Sequence, residues 1–379
     1  MKKVHIILAA TLIGFFISAS TYCEVDTMLR VRVARDKKSL SLSIKGPYII
    51  ETINTGEKLF ESKKSLKKAK VYPTKLGIKI GKKEYPIFAV RIVPSVKGEI
   101  TIDKRLFRGV IDVIRTKNKR ILVINHIDVE DYLYGVLYYE TPHYWPMEVL
   151  MAQAIAARTY ALYTKKEMAG KEYDLTNDTF SQMYGGKKGE RWKTRRAVDL
   201  TKNEVLTYKG NIFPTYYHSI CGGHTEDSAE LWKIKLEPLL GRKCGYCKKA
   251  PGYYWRTSYS YKQIEGKLNK AGIKCKHVSY ILEGQRDRSG RLKTVRIKDA
   301  SGIKNIPSNK FRLALGGTSI KSTNFIIEIK PAGILFRGKG WGHGVGMCQW
   351  GALTMAMQGH DHEQIVRFYY PKSKVKKLK

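Results

Sequence analysis

The chain has 379 residues, of which 43% are hydrophobic, which is enough for a folded core and excludes an intrinsically disordered chain. Lysine and arginine number 70 against 33 acidic residues, giving a formal net charge of +37. A positive charge of this size predicts a polyanionic partner, which could be a nucleic acid, an anionic membrane or an acidic cell-wall polymer.

Residues 1–23 have the pattern of a secretory signal peptide. The start "MKK" is basic, "VHIILAATLIGFFISAS" is apolar, and small residues near Ala19 suit cleavage. A retained N-terminal anchor is the alternative, because the apolar run is at the short end for a membrane span. We therefore expect export to the periplasm, the cell wall or the outer face of the cytoplasmic membrane. Export argues against nucleic acid as the partner, and the membrane is a partner only if the segment is retained.

The predicted elements change character along the chain and indicate an α+β fold. Short segments in residues 24–125 alternate apolar and polar residues between Gly, Lys or Asn turns, which predicts a β-rich N-terminal region. A mixed α/β region follows, built around a long helix over about 147–168 that starts near Pro146 and stops at Gly170. Further helices are predicted at "YKQIEGKLNKAG" and just before Gly359. The basic tail, residues 371–379, is predicted to be disordered.

The segment "RGKGWGHGVGMCQWGA" has a glycine at every second position from Gly338 to Gly346. In a strand these glycines would share one face, and strand glycine usually marks close approach by a ligand or another backbone. Trp341 and His343 would stand on the opposite face, with Gln349 at the start of a helix. The pattern fits neither a P-loop nor GxGxxG. We interpret it as the floor of a groove for a polymer, with a tight corner of a core sheet as the alternative.

Glu140 is the candidate acid of the sequence. It stands alone among aromatic residues and prolines in "YGVLYYETPHYWP". Desolvation in apolar surroundings raises the pKa of a carboxyl group, which is how a glycosidase keeps its general acid protonated near neutral pH. The alternative is a surface glutamate before a helix.

Four segments in this order carry a family resemblance: "YLYGVLYYETPHYWPMEVLMAQAIAARTYAL", "NDTFSQMYGG", "YYHSICGGHTEDSAELW" and "GKGWGHGVGMCQWGA". Together they resemble the stage II sporulation protein D family, which includes amidase-enhancer proteins. The resemblance assigns residues 126–370 as the catalytic region. It implies a lytic transglycosylase that cleaves peptidoglycan between N-acetylmuramic acid and N-acetylglucosamine, in sporulation members on peptide-stripped strands. Glu140 in "GVLYYETP" occupies the place of the family's catalytic glutamate.

The implied reaction needs one carboxyl and no cofactor, because the C6 hydroxyl of the sugar is the nucleophile. It leaves 1,6-anhydro ends, and Glu140 would act first as acid and then as base. Substrate-binding roles are predicted for six further residues: Arg158, Gln182, Tyr184, Trp341, His343 and Gln349. Of these, Arg158 would steady the acid or bind an acetamido group or lactyl carboxylate, but it could also be a structural hydrogen-bond donor. Gln182 and Tyr184 could equally be turn and core residues.

The six cysteines include a CxxC pair, Cys244 and Cys247, with Cys221 upstream between His218 and His224. Three thiolates and one imidazole, from His224 or alternatively His218, would form a closed structural zinc site. A disulfide between Cys221 and one of the pair is the alternative in an exported protein.

Two other features of the cysteine pattern limit this zinc prediction. Sporulation members carry "THCQ", whose His and Cys bind zinc, where this chain has "TFSQ", so that family site is absent. Cys275 and Cys348 look solitary, and Cys348 is expected to be a small buried residue.

A second class of function remains open at this point. The protein could bind the cell wall without catalysis and stimulate a partner amidase, an N-acetylmuramoyl-L-alanine amidase, as amidase enhancers are thought to do. The positive charge fits either function, because anionic wall polymers would attract the chain in both cases. The predicted partners are therefore peptidoglycan strands and, in the second case, a cell-wall amidase.

Overall fold

The computed structural model of the protein describes residues 26–95, 98–178 and 181–378. The predicted signal segment, residues 1–23, lies outside them. Across these residues, none of the helices has both the length and the apolar character needed to cross a membrane. The α+β prediction is confirmed, since helices and several separate sheets are present.

Strands dominate the first hundred described residues, as the alternating pattern predicted. Four of these strands were not predicted: the two in the lysine-rich stretch 58–73 and the short ones at 83–85 and 105–107. Their many polar residues leave no clear alternation of apolar and polar positions. The strands are β1 (Met28–Lys37), β2 (Leu40–Lys45), β3 (Tyr48–Thr52), β4 (Lys58–Ser62), β5 (Leu66–Pro73), β6 (Ile78–Ile80), β7 (Lys83–Tyr85), β8 (Ala89–Pro94), β9 (Glu99–Ile102), β10 (Arg105–Phe107), β11 (Val110–Arg115) and β12 (Ile121–Asp128).

The later strands are shorter and lie between helices. They are β13 (Leu175–Thr176), β14 (Glu204–Tyr208), β15 (Asn211–Ile212), β16 (Tyr217–His218), β17 (Tyr254–Tyr259), β18 (Tyr280–Glu283), β19 (Thr294–Asp299), β20 (Gly302–Pro307), β21 (Phe325–Lys330), β22 (Gly333–Lys339), β23 (Met347–Cys348) and β24 (Lys374–Lys377).

The helices include the long one that the sequence predicted, which begins after Pro146 and is buried on most of its circumference. The predicted helices at 261–270 and before Gly359 are also present. The helices are α1 (Val129–Glu140), α2 (Met147–Glu167), α3 (Trp192–Leu200), α4 (Ser228–Trp232), α5 (Tyr261–Lys270), α6 (Ser308–Leu315), α7 (Gln349–Met357) and α8 (His362–Tyr369).

Two sheets form the N-terminal half, and the larger one joins it to the helices. Its strand order is β13-β1-β12-β11-β8-β3-β4, and the second sheet has the order β10-β9-β2-β5-β6-β7. Apolar side chains from these sheets share one core with α1 and α2. The core is therefore continuous across residue 125, where the sequence placed a boundary, and that position falls inside β12.

A second core joins α2 to the C-terminal helices, and a third lies within a smaller unit over residues 254–339. The second contains apolar residues of α2, α7 and α8 together with four cysteines. The third is formed by the sheets β17-β22-β21 and β18-β19-β20 with α5 and α6. Strand β22 leads from this unit directly into the glycine-rich segment.

The basic tail does not behave as predicted. Residues Lys374–Lys377 form β24, which pairs antiparallel with β14, so that Lys377 faces Glu204. Backbone hydrogen bonding to β14 supplies order that the charged composition did not suggest. The prediction of a disordered tail is therefore wrong for the described residues up to 378.

Candidate active site

A cleft of about 440 Å³ lies where α1, β16, the 181–183 loop, α6 and the glycine-rich segment meet. It is lined by four residues of the predicted catalytic and substrate-binding set: Glu140, Trp341, His343 and Gln349. The remaining lining residues are Tyr160, Ser181, Met183, Tyr216, Tyr217, His218, Ser219, Trp232, Arg312 and Gly342.

Glu140 is the last residue of α1, and its carboxyl group is held by two donors. The backbone N–H of Met183 donates to Oε1 at 2.7 Å, and the hydroxyl of Tyr217 makes a second hydrogen bond. Burial nevertheless raises the pKa of Glu140, and these two hydrogen bonds only partly oppose it. Within the described residues, Glu140 takes part in no ion pair. The carboxyl group therefore holds its proton more tightly than a solvent-exposed glutamate does.

The surroundings that bury Glu140 are not the ones that the local sequence suggested. Among its aromatic neighbours in the chain, Tyr144 is 72% exposed and Tyr139 is 40% exposed. The apolar walls come instead from distant segments, chiefly Tyr160 of α2 and the consecutive Tyr216 and Tyr217. The pKa shift was predicted in the right direction, but its source lies in the tertiary structure.

Gln182 positions Tyr217 rather than touching a ligand. Its amide is buried, accepts a hydrogen bond from the hydroxyl of Tyr132 at 3.2 Å, and donates to the hydroxyl of Tyr217 at 3.1 Å. Because the Tyr217 oxygen accepts from Gln182, its own proton is free to point at the Glu140 carboxyl group. Gln182 is buried and does not line the cleft, so its predicted sugar contact does not fit the structure.

The glycine-rich segment is not the flat strand that its spacing suggested. Strand β22 ends at Lys339, and the glycines from 340 to 346 have positive φ values between 71° and 107°. A Cβ at Gly344 would lie 2.6 Å from the guanidinium carbon of Arg291, and one at Gly346 would lie 1.9 Å from the carbonyl of Tyr216. Only Gly342 lines the cleft. Side chains and backbone of this protein, and not a ligand, occupy the space beside these glycines. The alternative interpretation, a tight corner in the core, is therefore correct.

Trp341 and His343 nevertheless both reach the cleft from this segment. Trp341 is 37% exposed, and its backbone is fixed by paired hydrogen bonds with Ile220. Burial lowers the pKa of His343 to about 4, so its ring is neutral. Its Nδ1 accepts from the backbone N–H of Val345 at 3.1 Å, which leaves Nε2 to donate to the carbonyl of Tyr217 at 2.9 Å. His343 thus offers a ring surface rather than a free polar group.

Gln349 contacts the backbone of Glu140. It is buried at the start of α7, and its Nε2 donates to the carbonyl oxygen of Glu140 at 3.0 Å and to Oε1 of Gln153 at 3.2 Å. The glycine-rich segment and the end of α1 are therefore joined directly at the candidate acid.

Two further predicted substrate contacts are contradicted by the structure. Arg158 is fully buried, and its guanidinium donates twice to the carboxylate of Glu130, at 2.8 and 2.6 Å, so it reaches neither Glu140 nor the cleft. Tyr184 is a core residue whose hydroxyl donates to Oδ1 of Asn125 at 2.9 Å. The structural alternatives stated for both residues are the correct ones.

Sequence reasoning missed several cleft residues, notably Tyr217, Trp232 and Arg312. Tyr217 and Trp232 lie inside the motif "YYHSICGGHTEDSAELW", so the motif itself could have drawn attention to them. Arg312 lies on α6, far from every motif, and had no signal in the sequence. Of the "TFSQ" stretch, Phe180 lies outside the described residues, whereas Ser181 lines the cleft.

The cysteines gather differently from the prediction. Cys221, Cys244 and Cys247 do converge, but the fourth member is Cys348, and the four sulfur atoms lie within 4.8 Å of one another. The Nδ1 atoms of His224 and His218 are instead hydrogen-bonded to the carbonyls of Thr225 and Val345. All four thiols are free, and Cys348 is therefore not solitary.

Comparison with known proteins supports the resemblance seen in the motifs. Residues 117–208 match the model of the stage II sporulation protein family, and residues 227–346 match a domain of unknown function. The chain is 33% identical to an uncharacterized protein of Brachyspira hyodysenteriae, over 91% of this chain and 92% of that protein.

Two named relatives come from Bacillus subtilis. The amidase enhancer is 30% identical over 63% of this chain but only 39% of its own length. The stage II sporulation protein D is 28% identical over 74% of this chain and 82% of its own length. The chain therefore belongs to the stage II sporulation protein D family.

Proposed function

We propose that this protein is an exported lytic transglycosylase that cleaves peptidoglycan strands between N-acetylmuramic acid and N-acetylglucosamine. Membership of the family supports a cell-wall-related function in general. The specific reaction rests on one observation about the cleft. Glu140, with its raised pKa, is the only acidic residue among the described residues that line it.

A single carboxyl group suits this reaction better than hydrolysis. Glycoside hydrolases usually need two carboxyl groups, about 5–5.5 Å apart in retaining enzymes and about 6.5–9.5 Å apart in inverting ones. A lytic transglycosylase uses the substrate's own C6 hydroxyl as nucleophile, so one residue can serve twice. The lone carboxyl of this cleft is therefore sufficient for such chemistry.

In the proposed reaction, Glu140 first gives its proton to the glycosidic oxygen, and the bond from that oxygen to C1 of N-acetylmuramic acid breaks. Since the Met183 N–H binds Oε1, the proton is favoured on the other carboxyl oxygen, which is then free to donate. The C6 hydroxyl of the same sugar attacks C1 and returns its proton to Glu140. The products are a 1,6-anhydro end and a free hydroxyl, with no water consumed.

The rest of the cleft fits a sugar polymer. Trp341 and Trp232 are each 37% exposed, so their rings are available for contact with sugar faces. The net charge of +37 favours an anionic polymer by long-range attraction. Gln349 and the Met183 N–H fix the position of Glu140, so the acid is held in place before the substrate arrives.

The test is to incubate purified protein with peptide-stripped glycan strands and with intact peptidoglycan, and to analyse the products by mass spectrometry. We expect new 1,6-anhydro ends, and a loss of about 10²- to 10⁴-fold in rate for Glu140→Gln. Glu363→Gln, which alters an exposed glutamate on α8, is the matched control and should keep full activity.

Two outcomes would contradict the proposal. Undiminished cleavage by Glu140→Gln would place the chemistry elsewhere. If neither substrate is cleaved, yet an added cell-wall amidase releases peptides faster, the protein acts as an enhancer instead of an enzyme.

A further inference from the structure

Four cysteine thiols converge in the second core from three separate segments of the chain. Cys221 follows β16, Cys244 and Cys247 come from one loop, and Cys348 precedes α7. Each of the four is at most 1% exposed. Their sulfur atoms lie within 4.8 Å of one another, and the sulfurs of Cys221 and Cys247 are 3.3 Å apart.

This spacing brackets the one expected of thiolate ligands around a tetrahedral metal ion. With Zn–S bonds of about 2.3 Å, the sulfurs of a tetrahedral site stand roughly 3.8 Å apart. Tetrahedral sulfur-only sites select zinc or iron among biological metals. Four buried side chains of ordinary core type would have no reason to direct all their sulfur atoms at one point.

The groups around the sulfurs also suit bound thiolates. The backbone N–H groups of Cys221 and Gly351 point at the sulfur of Cys348, at 3.2 and 3.4 Å, and the hydroxyl of Tyr369 lies 3.4 Å from the sulfur of Cys244. Hydrogen bonds of this kind orient metal ligands and offset their negative charge. A Cβ at Gly351 would lie 2.0 Å from the Tyr369 hydroxyl, so this close arrangement depends on a glycine there.

We propose that Cys221, Cys244, Cys247 and Cys348 bind one zinc ion as a closed structural site. The site stabilises the wall of the cleft, because Cys348 adjoins Gln349, whose amide holds the carbonyl of Glu140. Cys221 lies two residues beyond Ser219, which also lines the cleft. With four protein ligands the ion has no open position, so it takes no part in chemistry. This proposal does not depend on the proposed function.

Elemental analysis of the full chain, purified without chelator and without a metal-affinity tag, tests the site. We expect one zinc per chain, at least tenfold less in Cys348→Ser and Cys247→Ser, and no change in Cys275→Ser, whose cysteine lies in the third core. Glu140→Gln should keep its zinc whatever its activity, so failure of the metal site and failure of the proposed function give different results.

Spectroscopy and thiol counting keep the proposal testable if the cysteine variants do not fold. Exchange of Co²⁺ into the unaltered protein should give the strong sulfur-to-cobalt absorption of a tetrathiolate site, and a chelator should expose four additional reactive thiols. Iron in place of zinc, a disulfide found under non-reducing denaturation, or metal-free folded protein would each overturn the proposal.

A second observation concerns Arg312, a cleft residue on α6 that is only 8% exposed. Its guanidinium donates to the carbonyls of Lys321 and Gly317 and to the side-chain oxygen of Asn309. Among the residues that the structure describes, none of the ion pairs includes Arg312. Burial lowers its pKa to about 10. A cation buried without a counter-ion is costly, and here it faces a ligand cleft.

We infer that Arg312 binds the lactyl carboxylate of N-acetylmuramic acid, an inference that rests on the proposed function. In a strand that still bears stem peptides, this carboxylate is tied up in an amide and is neutral. Only a peptide-free strand offers a free carboxylate on the lactyl group itself for the guanidinium to pair with. Arg312 would then favour stripped strands, through the lactyl contact that the sequence had offered as one of several roles for Arg158.

Binding measurements in the Glu140→Gln background test this without cleavage. Addition of Arg312→Gln should weaken binding of peptide-free strands by about tenfold or more. It should leave binding of N-acetylglucosamine oligomers, which lack the lactyl group, unchanged. Arg296→Gln removes the same charge from an exposed position on β19 and is the control. Arg312→Lys should restore part of the affinity.

Equal losses for both ligands, or no loss for either, would overturn the role of Arg312. Because binding is the readout, the result is independent of whether the protein proves to be an enzyme or an enhancer.

Discussion

Helix α1 carries a glutamate near each end, and the two have opposite electrostatic surroundings. Glu130, in the first turn, is paired with the buried Arg158 and also accepts from the backbone N–H of Asn203 at 3.0 Å. Glu140, the last residue, lies at the negative end of the helix dipole and forms no ion pair with any residue that the structure describes. The fold therefore gives one glutamate a buried ionic partner, whereas burial raises the pKa of the other.

The largest expected effect on stability is at the N-terminal end of α1, where Glu130 pairs with Arg158. Glu130→Gln leaves the fully buried guanidinium of Arg158 without a counter-ion, so we expect a loss of about 3–5 kcal/mol in the free energy of unfolding, measured by urea denaturation. Glu363→Gln, which breaks the exposed pair with Arg367, should cost less than about 1 kcal/mol. If Glu130→Gln and Glu363→Gln lowered the free energy of unfolding by similarly small amounts, the buried pair of Glu130 would not differ from an exposed one, and the contrast drawn between Glu130 and Glu140 would fail.

A smaller effect is expected from Tyr217→Phe, which removes a hydrogen bond to the Glu140 carboxyl group. The pKa of Glu140 should rise, because the lost bond favours the charged form. The fall in glycan cleavage at high pH should then move to a higher pH, with the rate at the optimum changed by less than about tenfold.

Tyr132→Phe is the control for that experiment. It removes a hydroxyl from the other side of the same Gln182 amide, so it should lower stability and leave the pH profile in place. A pH profile that moves in both variants, or in neither, would argue against Tyr217 as the residue that tunes the acid.

The smallest expected effect is a gain in the free energy of unfolding from Glu140→Gln, which removes the charge at the C-terminal end of α1. Because the pKa of Glu140 is raised above the unfolded value of about 4.5, the folded state holds the proton more tightly and loses stability as pH rises through the folded pKa. Glu140→Gln removes this loss and can still accept from Met183. We expect thermal unfolding to show a gain of about 1 kcal/mol near pH 8 and none near pH 4. A loss at pH 8 would contradict the assigned direction of the shift.

The elements predicted well are those specified by short-range pattern. Helix α2 has a proline before its start and a suitable stop residue, and the strands of residues 28–128 alternate on one face. The helix α1, which carries Glu140, was not predicted from the sequence. The tail was misjudged because the backbone of β14, and not composition, orders β24.

The candidate site shows the same division. Arg158 was predicted to steady Glu140 or bind a sugar group, with a structural hydrogen-bond donor as the alternative. It pairs with Glu130 instead, and the arginine that lines the cleft is Arg312. The thiol group was predicted in three of its four members, and the fourth was sought among nearby histidines. These errors have two causes. Cys348 lies more than a hundred residues from the other three cysteines, and Glu130 and Arg312 lie outside the four motifs.

By itself, the sequence determined the family, the α+β class and the long helix, and it singled out Glu140 as the candidate acid, because these depend on local order and recognisable motifs. Only the tertiary structure decided what buries Glu140, which arginine enters the cleft, what the glycines make room for, and that Cys348 completes the thiol group. Those outcomes depend on desolvation and on close contact between distant segments, and both exist only once the chain has folded.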